Sequence, residues 1–174
     1  AAQGQEGILE CLELLVIGKG SDRQRLENLT RGLGLAGRTR FTGFIEDGER
    51  DDLLAGTRAC AFPSEKEGWG LTVIEANALG TPVVARDAPG LRDSVRHGQT
   101  GTLVGPPEQH PRDPESEHDE IQDWADALGS MLIEDDAAKA LRQRCLEWAK
   151  HFDWDRAAND MERAIIAALK GRSK

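Results

Sequence analysis

Short apolar runs alternate with longer amphipathic stretches along the first two thirds of the chain. The runs end at glycine, proline or polar residues and are too short for helices, which is typical of buried strands. They predict five strands, at Leu14–Ile17, Arg40–Phe44, Ala59–Phe62, Pro82–Ala85 and Gly101–Val104. Because helical stretches separate these strands, we expect an α/β fold with a parallel sheet covered by helices on both faces.

The helices are marked by capping and stop signals. Ser21 or Asp22 can cap a first helix that ends at Gly32, and shorter helices are predicted at Asp51–Ala55, Leu71–Leu79 and Leu91–Val95. After Glu117 glycine becomes rare, and the pattern predicts only helices, at Ile121–Ile133, Ala137–Lys150 and Arg156–Leu169. The sequence therefore divides into a core at 1–105, an acidic proline-rich surface loop at 106–120 and a helical tail at 121–174.

Composition excludes several classes of function. The net charge of −9 over 174 residues argues against a broad basic face for nucleic acid or anionic lipid. No apolar run approaches the ~18 residues of a membrane-spanning helix, and no signal-peptide pattern opens the chain. The cysteines Cys11, Cys60 and Cys145 are odd in number and lack metal-ligand spacing, so we expect reduced thiols in a cytoplasmic protein. His110 and His118 match no ligand pattern either, and no metal is expected.

The candidate chemistry lies where the third strand passes into the following helix. The strand ends at Pro63, a loop containing Gly68 and Gly70 follows, and a helix begins near Leu71. Glycines let the main chain approach a ligand closely. The first N–H groups of a helix have no partner within it and carry part of the helix dipole, so such a start suits a phosphate. Parallel sheets also bind ligands at the carboxyl ends of their strands.

Two carboxylates flank this helix start, Glu67 in the loop and Glu75 about one turn inside the helix. A carboxylate repels phosphate but accepts hydrogen bonds from hydroxyl groups. A ligand with phosphates in the middle and hydroxyls at both ends is a nucleoside diphosphate sugar. The residues alone leave open a simpler interpretation, a glycine-rich loop with two solvated glutamates.

Longer motifs surround these residues. Seven residues separate the two glutamates in Glu67-Gly68-Trp69-Gly70-Leu71-Thr72-Val73-Ile74-Glu75, and Ala-Leu-Gly-Thr-Pro-Val-Val-Ala follows at 78–85. With Gly90-Leu91, GQTGTLV at 98–104 and the upstream LLVIGKG and RFTGF, this stretch resembles the donor-binding half of the family-four (group 1) retaining glycosyltransferases. Their GT-B fold has two Rossmann-like domains with a cleft between them. The resemblance covers about 14–104 well and the tail loosely.

The resemblance implies roles at the helix start. Glu67 would contact hexose hydroxyls near the transferred carbon, which makes it the candidate catalytic residue, and Glu75 would hold the ribose. Main-chain N–H groups of Trp69, Gly70 and Leu71 would bind the hexose, and those of Thr72 and Val73 the diphosphate. Gly68 belongs to the same donor-binding loop.

The resemblance also implies the base contacts and the partners. Phe44 and Ile45 would pack on the base and read its edge with main-chain atoms, and Gly18 would let its turn approach the nucleotide. The donor would be a UDP, GDP or ADP sugar, and the family needs no metal or other cofactor.

The chain departs from the family upstream. An Arg and a Lys normally neutralise the leaving diphosphate, but residues 1–13 contain neither, and Lys19 lies in the wrong element for this role. The N-terminal acceptor domain is also missing. We therefore expect a fragment of a longer enzyme, or a chain that meets its other half elsewhere, with weak donor binding and no transfer alone. The full-length protein would be cytoplasmic, with the inner face of the membrane as a further possibility.

The last predicted helix of the tail indicates which partners the chain could have. By resemblance, the helix from Arg156 would cross toward the missing N-terminal domain. Its apolar stripe of Met161, Ile165, Ile166 and Leu169 would otherwise be exposed or pair with a second copy in a homodimer.

Two other classes stay open. Gly18-Lys19-Gly20 is part of a dinucleotide-binding fingerprint of an oxidoreductase that uses NAD, but Arg23 stands where the third glycine is expected. A non-catalytic nucleotide-binding or interaction module could keep the fold; the absent basic pair favours it, and the retained Glu67 and Glu75 argue against it.

Overall fold

The computed structural model describes residues 11–105 and 114–171, with side chains described from Asp119 to Lys170 in the second range. The chain divides into two compact units, Ala1–Gly56 and Thr57–Lys174. Both units alternate strands with helices, which confirms the predicted α/β class.

The first unit is a strand–helix–strand–helix arrangement. It contains β1 (Leu14–Ile17), α1 (Arg23–Gly32), a 3₁₀ turn (Ala36–Arg38), β2 (Thr39–Gly43) and α2 (Asp47–Gly56). The two strands pair in parallel, as a helical crossover between them requires. The helix α2 begins four residues before the predicted start, because Asp47 and Glu49 suit the positive end of a helix dipole.

The strands of the first unit are less buried than predicted. Their side chains are half-buried or exposed, with Leu14 exposed by 52%, and Gly43 is the one fully buried position within residues 11–56. Within this unit taken by itself, the two strands are therefore only partly covered. A two-stranded sheet with one crossover helix has too few elements to cover both of its faces.

The second unit carries the buried core. Its strands are β3 (Cys60–Phe62), β4 (Val83–Arg86) and β5 (Gly101–Val104), and its helices are α3 (Leu71–Ala78), α4 (Leu91–Ser94), α5 (Pro114–Met131), α6 (Asp136–Ala149) and α7 (Trp154–Gly171). The strands form a parallel sheet in the order β3-β4-β5. The single predicted sheet is thus divided into a two-stranded and a three-stranded parallel sheet, one in each unit.

The central strand β4 has both faces covered. Val83, Val84 and Ala85 have no exposed surface. Val84 packs with Val104 and with Met131 of α5, and Val73 and Ala76 of α3 are also fully buried. At Gly101 an added Cβ would lie 2.2 Å from the carbonyl oxygen of Val83, so only glycine fits at the start of β5. In this unit the predicted helix–sheet–helix layering is confirmed.

The helix α5 begins earlier than expected. Residues 106–120 were predicted as a loop, yet the helix starts at Pro114. Proline is well suited to the first position of a helix, and the acidic residues after it suit the helix dipole. His110 lies outside the described residues, as does the side chain of His118, so their predicted lack of a metal role stays a prediction.

The last helix, α7, carries a strongly exposed apolar stripe. Met161, Ile165, Ile166 and Leu169 recur at helical spacing, and each is exposed by at least 43%. Every described side chain of this helix is exposed, so no described part of the second unit covers the stripe. Among the described residues no helix is both long enough and apolar enough to cross a membrane.

Because two thiols are buried, the free energy of unfolding is expected to fall as the pH rises through the alkaline range. Burial raises the pKa of Cys145 to about 12 and that of Cys60 to about 11, from 9.0. Because the pKa is raised in the folded state, the stabilisation is complete below pH 9 and is lost as the pH rises toward the folded values. Urea denaturation at pH 8 and at pH 10.5 measures this effect. Between the two pH values, the free energy of unfolding of the wild type should fall by about 2 kcal/mol more than that of Cys145→Ala. Cys11→Ala, which removes an exposed thiol, is the control, and equal losses in Cys145→Ala and the wild type would contradict the assignment.

Candidate functional site

A glycine-punctuated loop connects β3 to α3 at the carboxyl edge of the three-stranded sheet. Pro63 follows the last residue of β3, and the loop runs to Gly70, whose φ of +81° places it in the left-handed region. A side chain on Gly70 would meet the Ser94 hydroxyl oxygen at 2.7 Å, so the position requires glycine for both reasons. At Gly68 an added Cβ would meet nothing within 4 Å, so the loop is open there.

The start of α3 presents uncapped main-chain amides. Gly70 precedes the helix and has no side chain to cap it, and the first turn contains no acidic residue. The N–H of Val73 donates to the Gly70 carbonyl at 3.0 Å, whereas no described residue accepts from the N–H of Leu71 or Thr72. Leu71 is exposed by 69% and Thr72 is also exposed, so no side chain closes this end of the helix. The arrangement can bind an anion.

Both predicted glutamates flank this helix start. Glu67 is half-buried in the loop, four residues before the first residue of α3. Glu75 lies on the exposed side of α3 together with Leu71 and Thr72, four and three residues before it, while Val73 and Ile74 are buried. Side chains on a helix lean toward its N-terminus, so the Glu75 carboxylate is directed along the same face as the open amides. This combination can hold an anion with hydroxyl-bearing groups on either side.

The end of β4 and the segment that follows it pack against the loop between β3 and α3. Gly90 has a φ of +82°, and a Cβ added to it would lie 2.4 Å from the Glu67 carbonyl oxygen. Arg86, at the end of β4, donates from Nε to the Pro63 carbonyl at 3.3 Å and pairs with Glu120 of α5 at 2.5 Å. The ends of β3 and β4 are therefore tied together beside the candidate site. Sequence reasoning singled out Gly90 only as a motif position and did not find Arg86.

The remaining predicted residues lie together in the first unit. Gly18, with a φ of +118°, follows β1 and donates to the Gly43 carbonyl at 2.9 Å. Phe44 and Ile45 follow β2 at the same edge; Phe44 is exposed by 64%, and the Lys19 ammonium lies 5.4 Å from its ring centroid. The structure thus brings Gly18, Phe44 and Ile45 to one edge of the two-stranded sheet. The other predicted residues, from Glu67 to Glu75, form the site in the second unit.

Two aromatic residues of the C-terminal part were not predicted at the site. Phe152 packs edge-on against the Trp69 ring at 4.8 Å between centroids, and Trp148 packs on Phe152 at 4.7 Å. Their spacing of four residues places them on one side of the chain at the end of α6, but nothing local indicates that Trp69 is their partner.

A cavity of about 220 Å³ lies away from the candidate site, at the amino ends of the strands of the second unit, where Arg58, Pro82 and Gly101 line it. Among residues 11–105 and the described part of the tail, no group of three His, Cys, Asp or Glu side chains could hold a metal ion.

The sequences of known proteins are similar to this chain. The family described as glycosyl transferases group 1 matches residues 6–113. A D-inositol 3-phosphate glycosyltransferase of Nocardia farcinica is 34% identical over 164 residues, which is 91% of this chain and 34% of the relative. The corresponding enzyme of Corynebacterium diphtheriae is 37% identical over 134 residues, 77% of this chain and 29% of its own length.

Solved structures show the same fold. The pneumococcal O-GlcNAc transferase GtfA, in complex with UDP and GlcNAc, superposes with a TM-score of 0.77 at 20% identity, covering 95% of this chain and 31% of that one. HepE of Anabaena, in complex with UDP, gives a TM-score of 0.73 at 23% identity over 90% of this chain and 41% of that one. At these identities the likeness shows the fold of the chain.

The chain spans about a third of the length of the curated relatives that it matches. Within that span the family match covers more than half of the chain and includes the loop, the start of α3 and both glutamates. The chain therefore belongs to the group 1 glycosyltransferases and has the Rossmann-like α/β architecture of the GT-B fold.

Proposed function

We propose that this chain is the donor-binding part of a retaining glycosyltransferase that moves a hexosyl group from a nucleoside diphosphate sugar to an acceptor. The observation that carries the proposal is the open, uncapped start of α3 with Glu67 and Glu75 on either side. The two UDP-bound structural neighbours and the family membership support a nucleotide-sugar donor.

The main chain at the helix start would bind the diphosphate. The N–H groups of Thr72 and Val73 would serve it, and those of Trp69, Gly70 and Leu71 the hexose; Gly68, which lacks a side chain, leaves room for the donor. As the bond between the anomeric carbon and the diphosphate oxygen breaks, negative charge grows on the leaving group. Oriented amides and the helix dipole stabilise that charge without a metal ion, so we propose a metal-independent reaction.

The two carboxylates would divide the sugars of the donor between them. Glu75, inside the helix, would accept hydrogen bonds from the ribose hydroxyls. Glu67, in the loop, would accept them from the hexose near the transferred carbon and act as the catalytic residue. Phe44, Ile45 and Gly18 would contact the base, and the exposure of the Phe44 ring by 64% is consistent with a stacking surface.

Transfer would require an acceptor-binding domain beyond this chain. The family's upstream Arg and Lys have no counterpart in residues 1–13, and each charge-assisted contact contributes about 1.5–3 kcal/mol. We propose that the chain alone binds a nucleotide sugar at roughly millimolar affinity and transfers nothing. The free thiols Cys11, Cys60 and Cys145 support a reducing, cytoplasmic setting.

Titration with a panel of nucleotides tests the proposal. Calorimetry or fluorescence with UDP, GDP, ADP and their glucose conjugates is expected to give saturable binding for one base, unchanged by EDTA. NAD is the control ligand, because a dinucleotide-binding domain would prefer it. Binding of NAD alone, or of none of the ligands up to about 20 mM, would contradict the proposal.

A further inference from the structure

Three aromatic side chains connect the candidate donor loop to the end of α6. We call Trp69, Trp148 and Phe152 the aromatic cluster. Phe152 contacts Trp69 at 4.8 Å and Trp148 at 4.7 Å between ring centroids, both in edge-to-face geometry, which is favourable for aromatic rings. The Phe152 ring thus lies between the loop and the helix.

The cluster is itself anchored at two further points. The indole Nε1 of Trp148 donates to the Ser94 carbonyl at 2.9 Å. The Arg96 guanidinium lies 3.8 Å from the Trp148 ring centroid, a cation–π contact. Since Trp148 is bonded to α4 and stacked by Arg96, it is a fixed support against which Phe152 can pack.

The same helix α4 also touches the loop directly. A Cβ added at Gly70 would lie 2.7 Å from the Ser94 hydroxyl oxygen, and one added at Gly90, which immediately precedes α4, would lie 2.4 Å from the Glu67 carbonyl oxygen. The loop therefore packs against α4 and, through the Trp69 side chain, against Phe152. Because the Trp69 ring is engaged in this packing, what the residue can offer a ligand is its main-chain N–H.

We propose that Phe152 and Trp148 are positioning residues that hold the Glu67–Gly70 segment in the conformation that binds the hexose of the donor. The inference rests on the proposed function and adds two residues that lie about 80 positions from the loop in sequence. Phe152 is 37% exposed, whereas the side chains of the central core are fully buried. Truncating it should therefore affect the loop more than the global stability.

The experiment compares the full chain with Phe152→Ala, Phe152→Tyr and Trp154→Ala. Trp154 is 91% exposed and two residues away, so its variant is a matched control for loss of an aromatic ring. Hydrogen exchange of the amides of residues 67–71 is measured without ligand, and the affinities for UDP and for UDP-glucose are measured separately.

We expect Phe152→Ala to exchange about ten-fold faster in this segment and to bind UDP-glucose about five-fold more weakly, with UDP affinity changed less than two-fold. Phe152→Tyr, which keeps the ring, should restore both readouts, and Trp154→Ala should leave both as in the wild type. A purely structural role would not change the ratio of the two affinities.

Unchanged exchange and an unchanged affinity ratio in Phe152→Ala would overturn the inference, as would faster exchange spread evenly over the whole chain. If Phe152→Ala does not fold, Phe152→Leu keeps an apolar side chain without the ring and is judged by the same readouts. If the wild type bound none of UDP, GDP, ADP and their glucose conjugates while loop exchange still rose locally in Phe152→Ala, the proposed function would fail and the positioning of the loop by Phe152 would stand.

Discussion

Replacing Gly90 with alanine is expected to lower the free energy of unfolding by about 2–5 kcal/mol and to displace the Glu67 loop. The residue has a φ of +82°, which L side chains rarely adopt. Its new Cβ would also lie 2.4 Å from the Glu67 carbonyl oxygen and 3.0 Å from the Gly68 carbonyl carbon. Both contacts are with main-chain atoms, which cannot rotate away, so the loop or the turn must move.

Gly98→Ala is the matched control. Gly98 also has a positive φ, +73°, but a Cβ there would meet nothing within 4 Å. Gly98→Ala should lower the free energy of unfolding by about 1–2 kcal/mol, because only the backbone conformation is unfavourable for alanine. Urea denaturation measures both variants. Equal losses of stability, or unaltered UDP-glucose binding in a stably folded Gly90→Ala protein, would contradict the close packing of this turn on the loop.

Substitutions of the two glutamates are expected to have different effects on the affinities for the nucleotide and for the nucleotide sugar. Glu75→Ala should weaken UDP and UDP-glucose alike, by about 10- to 100-fold, because a carboxylate accepting hydrogen bonds from ribose hydroxyls contributes about 1.5–3 kcal/mol. Glu67→Ala should leave UDP affinity within about two-fold and weaken UDP-glucose by about ten-fold. The dissociation constants of both ligands, measured by calorimetry or NMR, decide this.

Each glutamate variant serves as the control for the other, since both remove one carboxylate from the same segment. Glu162→Ala, on the exposed helix α7, corrects for the change in net charge. Equal effects of Glu67→Ala and Glu75→Ala on both ligands would show that the carboxylates act through general electrostatics and not by holding separate sugars.

Much of the fold was predictable because its signals are local. The runs Leu14–Ile17 and Gly101–Val104 coincide with β1 and β5. Pro63 predicts the end of β3 and Gly80 predicts the end of α3, and both predicted ends lie within one residue of those in the structure. The start of α3 was predictable for the same reason, because Gly70 and the apolar residues after it define a helix start without reference to the rest of the chain.

Contacts between distant segments were not predictable. Nothing near Trp69 indicates that Phe152 packs on it, and nothing near Gly90 indicates that it lies against the Glu67 carbonyl. The apolar character of β1 and β2 predicts burial, yet within the first unit Leu14 and Ile17 stay exposed. The apolar pattern of a strand indicates that its side chains pack against another element, but it does not identify which segment of the chain supplies that element.

The most direct test of the central claim is a titration of the isotopically labelled chain with UDP, observed at the backbone amides. If the open start of α3 binds the diphosphate, saturable shifts should be largest at Thr72 and Val73, whose amides lie in the first turn. Saturable binding whose largest shifts lie elsewhere, with these two amides unmoved, would contradict the account.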